Sequence, residues 1–487
     1  MTQPAVNITE LDGQLGVLPP SAGRLLALVG AAVSAVLPVN TPAAFGRIKD
    51  LQAALVRGPL LEAAAHELEQ YGRPVVVVRT EATVAGDAGA VDFEGTGTSV
   101  ITIDATDEPE DDYEVYFEVI TGGTIGTAGI TFRVSLDGGR TLSAELALGT
   151  LTTYPIPDPA GGLSGVTLLF AAGTLVAGDT AAARTTAPQW NGTDLAAALD
   201  ALKVATHNWE GVEIVGALDG ANFDVVEGKI TGMAAAGKNH WWIGNCRTPN
   251  DGESEATYLA AMSTVFASKA SKHGSLCFGA CKVISSVSGL NYRRPVALIA
   301  GAREASLSEE IDSADINLGP LPCSIRDANG NPDEHDETAN PGADDARFYV
   351  LRTWEGYQGV YVNRPRLFSV TGSDFELVPH RRVMNIARDV LRNYFTRRLN
   401  KPIRIDKATG YILEAEALEI EKGATAALRS ALTQKPKASE AVFVLSRSDN
   451  ILSTKTLTGD ARIVPLGYPE IADLSLAFSN PALQLAA

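Results

Sequence analysis

Through residues 24–81 and 188–345, short apolar runs alternate with helical stripes, and this alternation restricts the possible folds more than any other feature of the chain. Leu25 to Val29 is apolar at every position, as in a strand buried on both faces. Leu60, Leu61, Ala64, Ala65 and Leu68 then fall on one face of a helix expected over about Pro59 to Tyr71. Pro59 suits its first turn, Gly72 follows its end and Pro74 opposes its continuation. Val75 to Val78 reads as a second fully buried strand. The rhythm returns with a helix over Thr193 to Lys203, where Leu195, Leu199 and Leu202 share a face, and a strand through Val212, Ile214 and Val215. A strand at His240 to Cys246, a helix from Ser254 to Ala270 and a strand near Leu276 to Val283 follow. This order predicts a largely parallel sheet with helices on its faces.

Between residues 82 and 187 the period changes. Val115, Phe117 and Val119 alternate with Glu114, Tyr116 and Glu118, and Ile130, Phe132, Val134 and Leu136 alternate with Thr131, Arg133 and Ser135. That is the two-residue period of half-buried antiparallel strands. Asp137-Gly138-Gly139 supplies the positive-φ residues of a hairpin turn. Ser135 to Leu142 resembles the Asp-box hairpin of sialidases, with Leu142 where the box has an aromatic residue; a single copy marks a hairpin and not that enzyme. The segment predicts an inserted antiparallel β-sandwich, with the acidic run Asp107 to Asp112 as its solvated loop.

Residues 1–23 read as an extended arm, because Val6 and Ile8 alternate with polar neighbours and Pro4, Pro19 and Pro20 exclude a long helix. The acidic segment 327–345 is expected to be an exposed loop or linker. Asp327, Asn329, Asn331 and Asp333 have the odd spacing of a calcium loop, but Pro332 and Thr338 stand where an EF-hand needs Gly and a bidentate Glu. Residues 346–464 are expected to form a C-terminal α/β domain with helices at about His380 to Leu399 and Ile412 to Leu432 and a strand at Ala441 to Leu445. In the closing segment 465–487, Leu474, Leu476 and Phe478 alternate with Ser475 and Ala477, as in a strand that buries one face. The fold class is therefore α/β (α+β) and multidomain: mixed sheets and helices, an inserted β-sandwich and an extended arm at each end.

Charge and motif content narrow the function. Asp and Glu number 58 against 40 Lys and Arg, and the net charge of -18 opposes binding to nucleic acid. The four cysteines lack paired CxxC spacing, which argues against a disulfide scaffold or a zinc ribbon. Leu25 to Val39 is interrupted by Gly30 and falls short of the roughly 20 residues that span a bilayer. No Lys or Arg precedes Arg24, so no secretory n-region is expected and the chain should stay in a reducing cytoplasm. No GxSxG elbow, phosphate-binding GxxxxGK[ST] loop or HExxH motif is present, and the six histidines include no pair at i, i+4. Neither an enzyme nor a cofactor or metal site is expected.

Three stretches carry a family resemblance. Val29-Gly30, Phe45-Gly46 and Gly72 to Arg79 resemble the amino-terminal part of contractile tail sheath proteins. Gly359 to Arg366, ahead of a helix bearing Arg381, Arg382, Arg388, Arg392 and Tyr394, resembles their carboxy-terminal part; Gly467-Tyr468 with Ile471 to Phe478 is similar to their closing strand. The inserted β-domain lies outside the resemblance, as expected of outer sheath domains. The resemblance implies a structural subunit that forms hexameric rings stacked helically around a tail tube and contracts to drive the tube through a target envelope. It also implies baseplate and tail terminator proteins as partners, and a place in a virion tail assembled in the cytoplasm of a host bacterium. Terminal arms of that family cross between subunits, which makes Val6, Ile8, Leu474, Leu476 and Phe478 candidate inter-subunit strand contacts.

At about 100° per residue, Arg381, Arg388 and Arg392 fall on one stripe opposite Val383, Ile386 and Val390. The stripe is a candidate docking face for the tube or a neighbouring subunit, with intrachain pairing as the alternative. Two other functions stay open at this point. In one, the inserted domain binds carbohydrate through exposed aromatics such as Tyr113 and Tyr116; in the other, scattered residues assemble an α/β hydrolase site.

Overall fold

The computed structural model describes residues 25–476 apart from 35, 160, 328, 329 and 331, so the amino-terminal arm with Val6 and Ile8, and Phe478, lie outside the described residues. The chain divides into two compact units, one ending at Arg392 and one beginning at Asn393. No helix among the described residues is long and apolar enough to cross a membrane.

The first unit is built on β1 (Leu25–Gly30), β2 (Ala43–Phe45), β3 (Val75–Arg79), β4 (Trp209–Leu218), β5 (Trp241–Cys246) and β6 (Gly274–Cys277). Five of them run parallel in the order β3-β1-β4-β5-β6, and β2 pairs antiparallel with β3 at the edge. Every residue of β1 and β5 is buried, and the two-residue period splits each strand between two cores. Leu26, Leu28, Val75 and Val77 face α2 (Pro59–Tyr71) and α6 (Val296–Ser306). Ala27, Val29, Val76 and Val78 face α3 (Gly192–Val204), α4 (Gly220–Ala235) and α5 (Glu255–Val265). The parallel sheet with helices on both faces is thus present, with each apolar run explained by burial on two sides.

Helix ends follow their local chemistry. The α2 helix begins at Pro59 after Gly58 at φ 110 and ends on Gly72 at φ 58, whose N–H donates to Leu68 O. Asn191 and Asp194 close a reciprocal capping box at the start of α3. The α5 helix stops at Val265, short of the expected Ala270, because Phe266 leaves the helical region to pack against Phe223, Phe348 and Phe368. The strand expected near Leu276 to Val283 is two strands, broken where Gly279 takes φ +84; Ala280–Ile284 turns away to pair with Asn291–Pro295.

Residues 82–187 contain only strands and turns among their described residues. Glu114–Thr121 pairs with Thr131–Ser135 and with Thr180–Thr186, while Leu163–Phe170 pairs with Thr153–Pro157 and Ile101–Ile103. Phe117, Phe132, Val166 and Phe170, drawn from both sheets, share one core. The Asp137-Gly138-Gly139 turn has its glycines at φ +72 and +80, and the Asp137 carboxylate accepts from Ser135 Oγ and Thr141 N.

Two acidic stretches depart from expectation. In the run Asp107 to Asp112, Asp111 is buried, not solvated: it pairs with Arg294 at 2.7 Å. In the segment 327–345, Glu334, His335, Asp336 and Glu337 are buried. Their charges are matched in place: Arg293 holds Glu334, His335 lies between Glu255 and Glu337, and Thr353 bonds Asp336. A sequence of acids does not reveal partners that lie far away along the chain. Phe348, Val350 and Phe368 belong to the first unit's core, so residues 346–392, grouped in the sequence with the C-terminal segment, pack with the parallel sheet.

The second unit contains α8 (Glu414–Ala431), β7 (Glu440–Leu445) and β8 (Gly459–Val464), together with the end of α7 (Val378–Thr396). Strand β8 alternates Ala461 and Ile463 with Asp460 and Arg462, a period too short to single it out in the sequence. Residues 465–476 have no regular structure.

Candidate assembly interface

The arginine stripe of α7 is brought together, but it faces the chain's own α4. Arg388 Nη2 donates to Ala234 O at 3.2 Å and Arg392 Nη1 to Ala236 O at 3.0 Å. These carbonyls end α4, where the helix dipole favours cations. A Cβ on Gly237 would stand 1.4 Å from Arg392 Nη1, so a glycine at φ +79 lets the guanidinium reach the helix end. Arg381 is 2% exposed, with its guanidinium over the Phe375 ring at 4.7 Å. Burial, and then the charge of Arg388, lower its pKa to about 10. Arg392 alone of the three is exposed to solvent. The next residue in the helix, Arg382, was left out of the stripe yet carries the buried ion pair, with Nε 2.8 Å from Glu210.

The second unit offers a different surface. Helix α8 covers one face of the β7–β8 pair, with Ile420, Ala424 and Leu428 buried on its side and Ala441, Phe443 and Leu445 on the strand. Phe395, at the end of α7, stacks on Phe443 at 5.1 Å, and Tyr394 donates to Ile420 O. The pair has no third strand among the described residues, so each strand has an outer edge.

The two edges differ. On β7, Phe443 N donates to Thr425 Oγ1 at 3.0 Å and Leu445 N to Glu421 Oε1 at 2.7 Å. Arg447 holds Glu421 in place, with Nη1 at 2.7 Å. Side chains of α8 and Arg447 therefore close the β7 edge, along an open groove of about 590 Å³.

Because Phe443 bonds outward, its pair with Ala461 is a non-hydrogen-bonded one, and the N–H and C=O of Ala461 also point away from the partner strand. Gly459 and Ile463 follow the same alternation. No side chain closes this β8 edge among the described residues, and β8 is exposed along nearly its whole length. Leu474 and Leu476, candidate strand contacts, are 90% and 101% exposed beyond it.

Other candidate chemistry is accounted for by packing. Tyr113, proposed above as a sugar-stacking aromatic, is buried and donates to Asp158 at 2.6 Å; Tyr116 is half-buried. Cys246, Cys277 and Cys281 are buried free thiols and Cys323 is half-buried. Among the described residues, no three His, Cys, Asp or Glu side chains are placed to hold a metal ion.

The model of the family described as DUF2586, N-terminal domain, matches residues 3–366. No curated protein matches the sequence. Among solved structures, the contracted helical sheath of the anti-feeding prophage is 11% identical and covers 98% of this chain and 100% of its own, with a TM-score of 0.52. The sheath tail protein Lin1278 from Listeria innocua is 12% identical over 92% of this chain and 97% of its own, with a TM-score of 0.46. The contracted sheath complex of the extracellular contractile injection system PVC is 10% identical over 99% of both chains, with a TM-score of 0.49. At these identities the likeness is one of fold.

Proposed function

We propose, for a chain that belongs to the DUF2586 family and shares its fold with the anti-feeding prophage sheath, that it is the sheath subunit of a contractile tail. The observation that carries the reading is the open β8 edge together with the exposed apolar tail that follows it. A row of unpaired backbone groups is a template for another strand, and a segment such as Ile471 to Leu476 is short of a partner. In this reading a terminal segment of one copy, from residues 1–23 or 465–487, adds to β8 of the next. The Thr425 and Glu421 side chains keep β7 from competing for it.

Head-to-tail contacts of one chain type generate hexameric rings and their helical stacking around a tail tube. Subunits tied by shared strands can rotate and slide without parting, so contraction is a rigid-body rearrangement that drives the tube through an envelope. The work comes from the assembly, and the protein needs no catalytic site. Residues 82–187 serve as a β-sandwich on the outer surface. Of the arginine stripe, Arg392 is the member exposed to solvent, and in this reading it meets the tube or a neighbour while it stays bonded to Ala236 O. Negative-stain microscopy of the purified chain tests the reading: striated cylinders or six-fold rings are expected. A variant without residues 1–23 and 465–487 should remain monomeric, and cylinders of normal form from that variant would refute it.

A further inference from the structure

The parallel strands of the first unit run in the order β3-β1-β4-β5-β6, and the chain leaves β1 to one side first and to the other side later. That reversal opens a crevice at the carboxyl ends of β1 and β4, the place where open α/β sheets bind ligands. A cavity of about 330 Å³ occupies it, within the size range of small-molecule sites. Ala31 and Ala217 mark the two strand ends, and Asp112 and Thr186 from the inserted segment form a roof. Strand β4 is irregular there, with its register shifted between Ile214 and Ala217, a device that re-aims side chains beside sites.

Glu213 lines this cavity, is 2% exposed and has no hydrogen-bond or ion-pair partner among the described residues. Room is kept for its carboxyl: a Cβ on Gly301 would stand 2.6 Å from Glu213 Oε2, and glycine is a residue that helix interiors disfavour. The donors around the cavity are already engaged. Arg247 is bidentate to Glu253, and Arg294 is matched by Asp111 with only its Nε unpartnered. Two first-turn amides of α6 are also taken, Val296 N by Gly279 O and Ala297 N by Asn245 Oδ1. An anion would find few free donors, whereas a cation finds a free carboxyl.

We infer that the crevice binds a small organic cation, its ammonium group on the Glu213 carboxylate and a short apolar body against Ala63, Ala297 and Leu298. The site is independent of the β8 edge and of assembly. Burial, and then the neighbouring Glu67 carboxyl, hold the Glu213 carboxyl well above the usual range. A bound ammonium ion would favour the ionised form of that carboxyl.

Calorimetry of the full chain at pH 7 with n-butylammonium and with 1-butanol tests this. The expected result is binding of butylammonium at least tenfold tighter than butanol. Glu213→Gln should weaken the ammonium tenfold or more and leave butanol unchanged. Ala217→Phe, which fills the mouth without touching the carboxyl, should abolish both. No binding of butylammonium, binding no tighter than that of butanol, or binding unchanged in Ala217→Phe would each overturn the assignment, whether or not the Glu213 variant folds.

Discussion

Replacing Ala461 by proline removes one N–H from the outer edge of β8 and touches nothing that β7 uses. The register places Ala461 opposite Phe443, whose own backbone bonds go to Thr425, so the lost donor is one that only an added strand would engage. Proline is accepted at such outward edge positions, and the melting temperature of the isolated chain should hardly move. In the assembly, the missing bond is worth about 0.5–1.5 kcal/mol, and the carbonyl of the incoming strand left buried without a partner adds about 1–3 kcal/mol. A loss of roughly 2–4 kcal/mol per subunit raises the critical concentration for assembly roughly 30- to 900-fold. Sedimentation of a dilution series, checked by electron microscopy, reads that change directly. Asp460→Pro is the control, since it removes a bond within the β7–β8 pair and should destabilise the folded unit itself. Assembly of Ala461→Pro at the wild-type concentration, with an unchanged circular dichroism melt, would refute the β8 edge as the acceptor.

Three further outcomes follow from buried groups. His335 sits between Glu255 and Glu337, and its pKa is raised to about 9 by those partners against its burial. A raised histidine contributes its stability fully below about pH 6.5 and loses it as pH rises through about 9, a change of about 3 kcal/mol that His335→Gln should remove from urea titrations. His66 is the opposite case: burial lowers it to about 4, so stability falls as pH drops from about 6.5 towards 4, and His66→Leu should flatten that slope in thermal melts. Arg382→Met leaves Glu210 buried and unpaired at a cost of about 3–5 kcal/mol, and adding Glu210→Gln should recover most of it in chemical denaturation.

The elements that the sequence made legible are those whose burial is set by one period. Both faces of β1 and β3 are covered, so their apolar runs are unbroken, and α2 carries its stop signal in Gly72. What stayed hidden depends on distant partners. Strand β8 alternates Ala461 and Ile463 with Asp460 and Arg462, but over so few residues and with so little burial that the backbone bonds offered by β7 are what make it a strand. Glu334, Asp336 and Glu337 read as a solvated loop because the groups that neutralise or bond them, Arg293, His335 and Thr353, are not all near them in sequence. The arginine stripe was legible as a polar face but not as an inward one. Whether a polar face meets solvent or the end of another helix is decided by packing, and here Ala234 and Ala236 supply carbonyls that only the folded α4 presents.

That internal use of arginine bears on how copies of the chain can adhere. Arg293, Arg294 and Arg382 are held inside, and Glu334, Asp111 and Glu210 are spent with them one for one. Part of the formal net charge of -18 is buried, with carboxyls such as Glu62, Glu67, Glu213 and Glu304, and the rest leaves the surface acidic. Identical acidic bodies repel one another, so charge complementarity cannot be the main source of attraction in a homopolymer. Backbone bonding at β8 and burial of apolar residues such as Ile471, Leu474 and Leu476 do not depend on charge and are left to supply it. Screening should then help assembly, because the Debye length shrinks from about 10 Å at 0.1 M salt to about 3 Å at 1 M. The critical concentration is expected to fall as sodium chloride is raised over that range. A rise would mean that ion pairs between subunits dominate, and would move the assembly interface away from the strand edge.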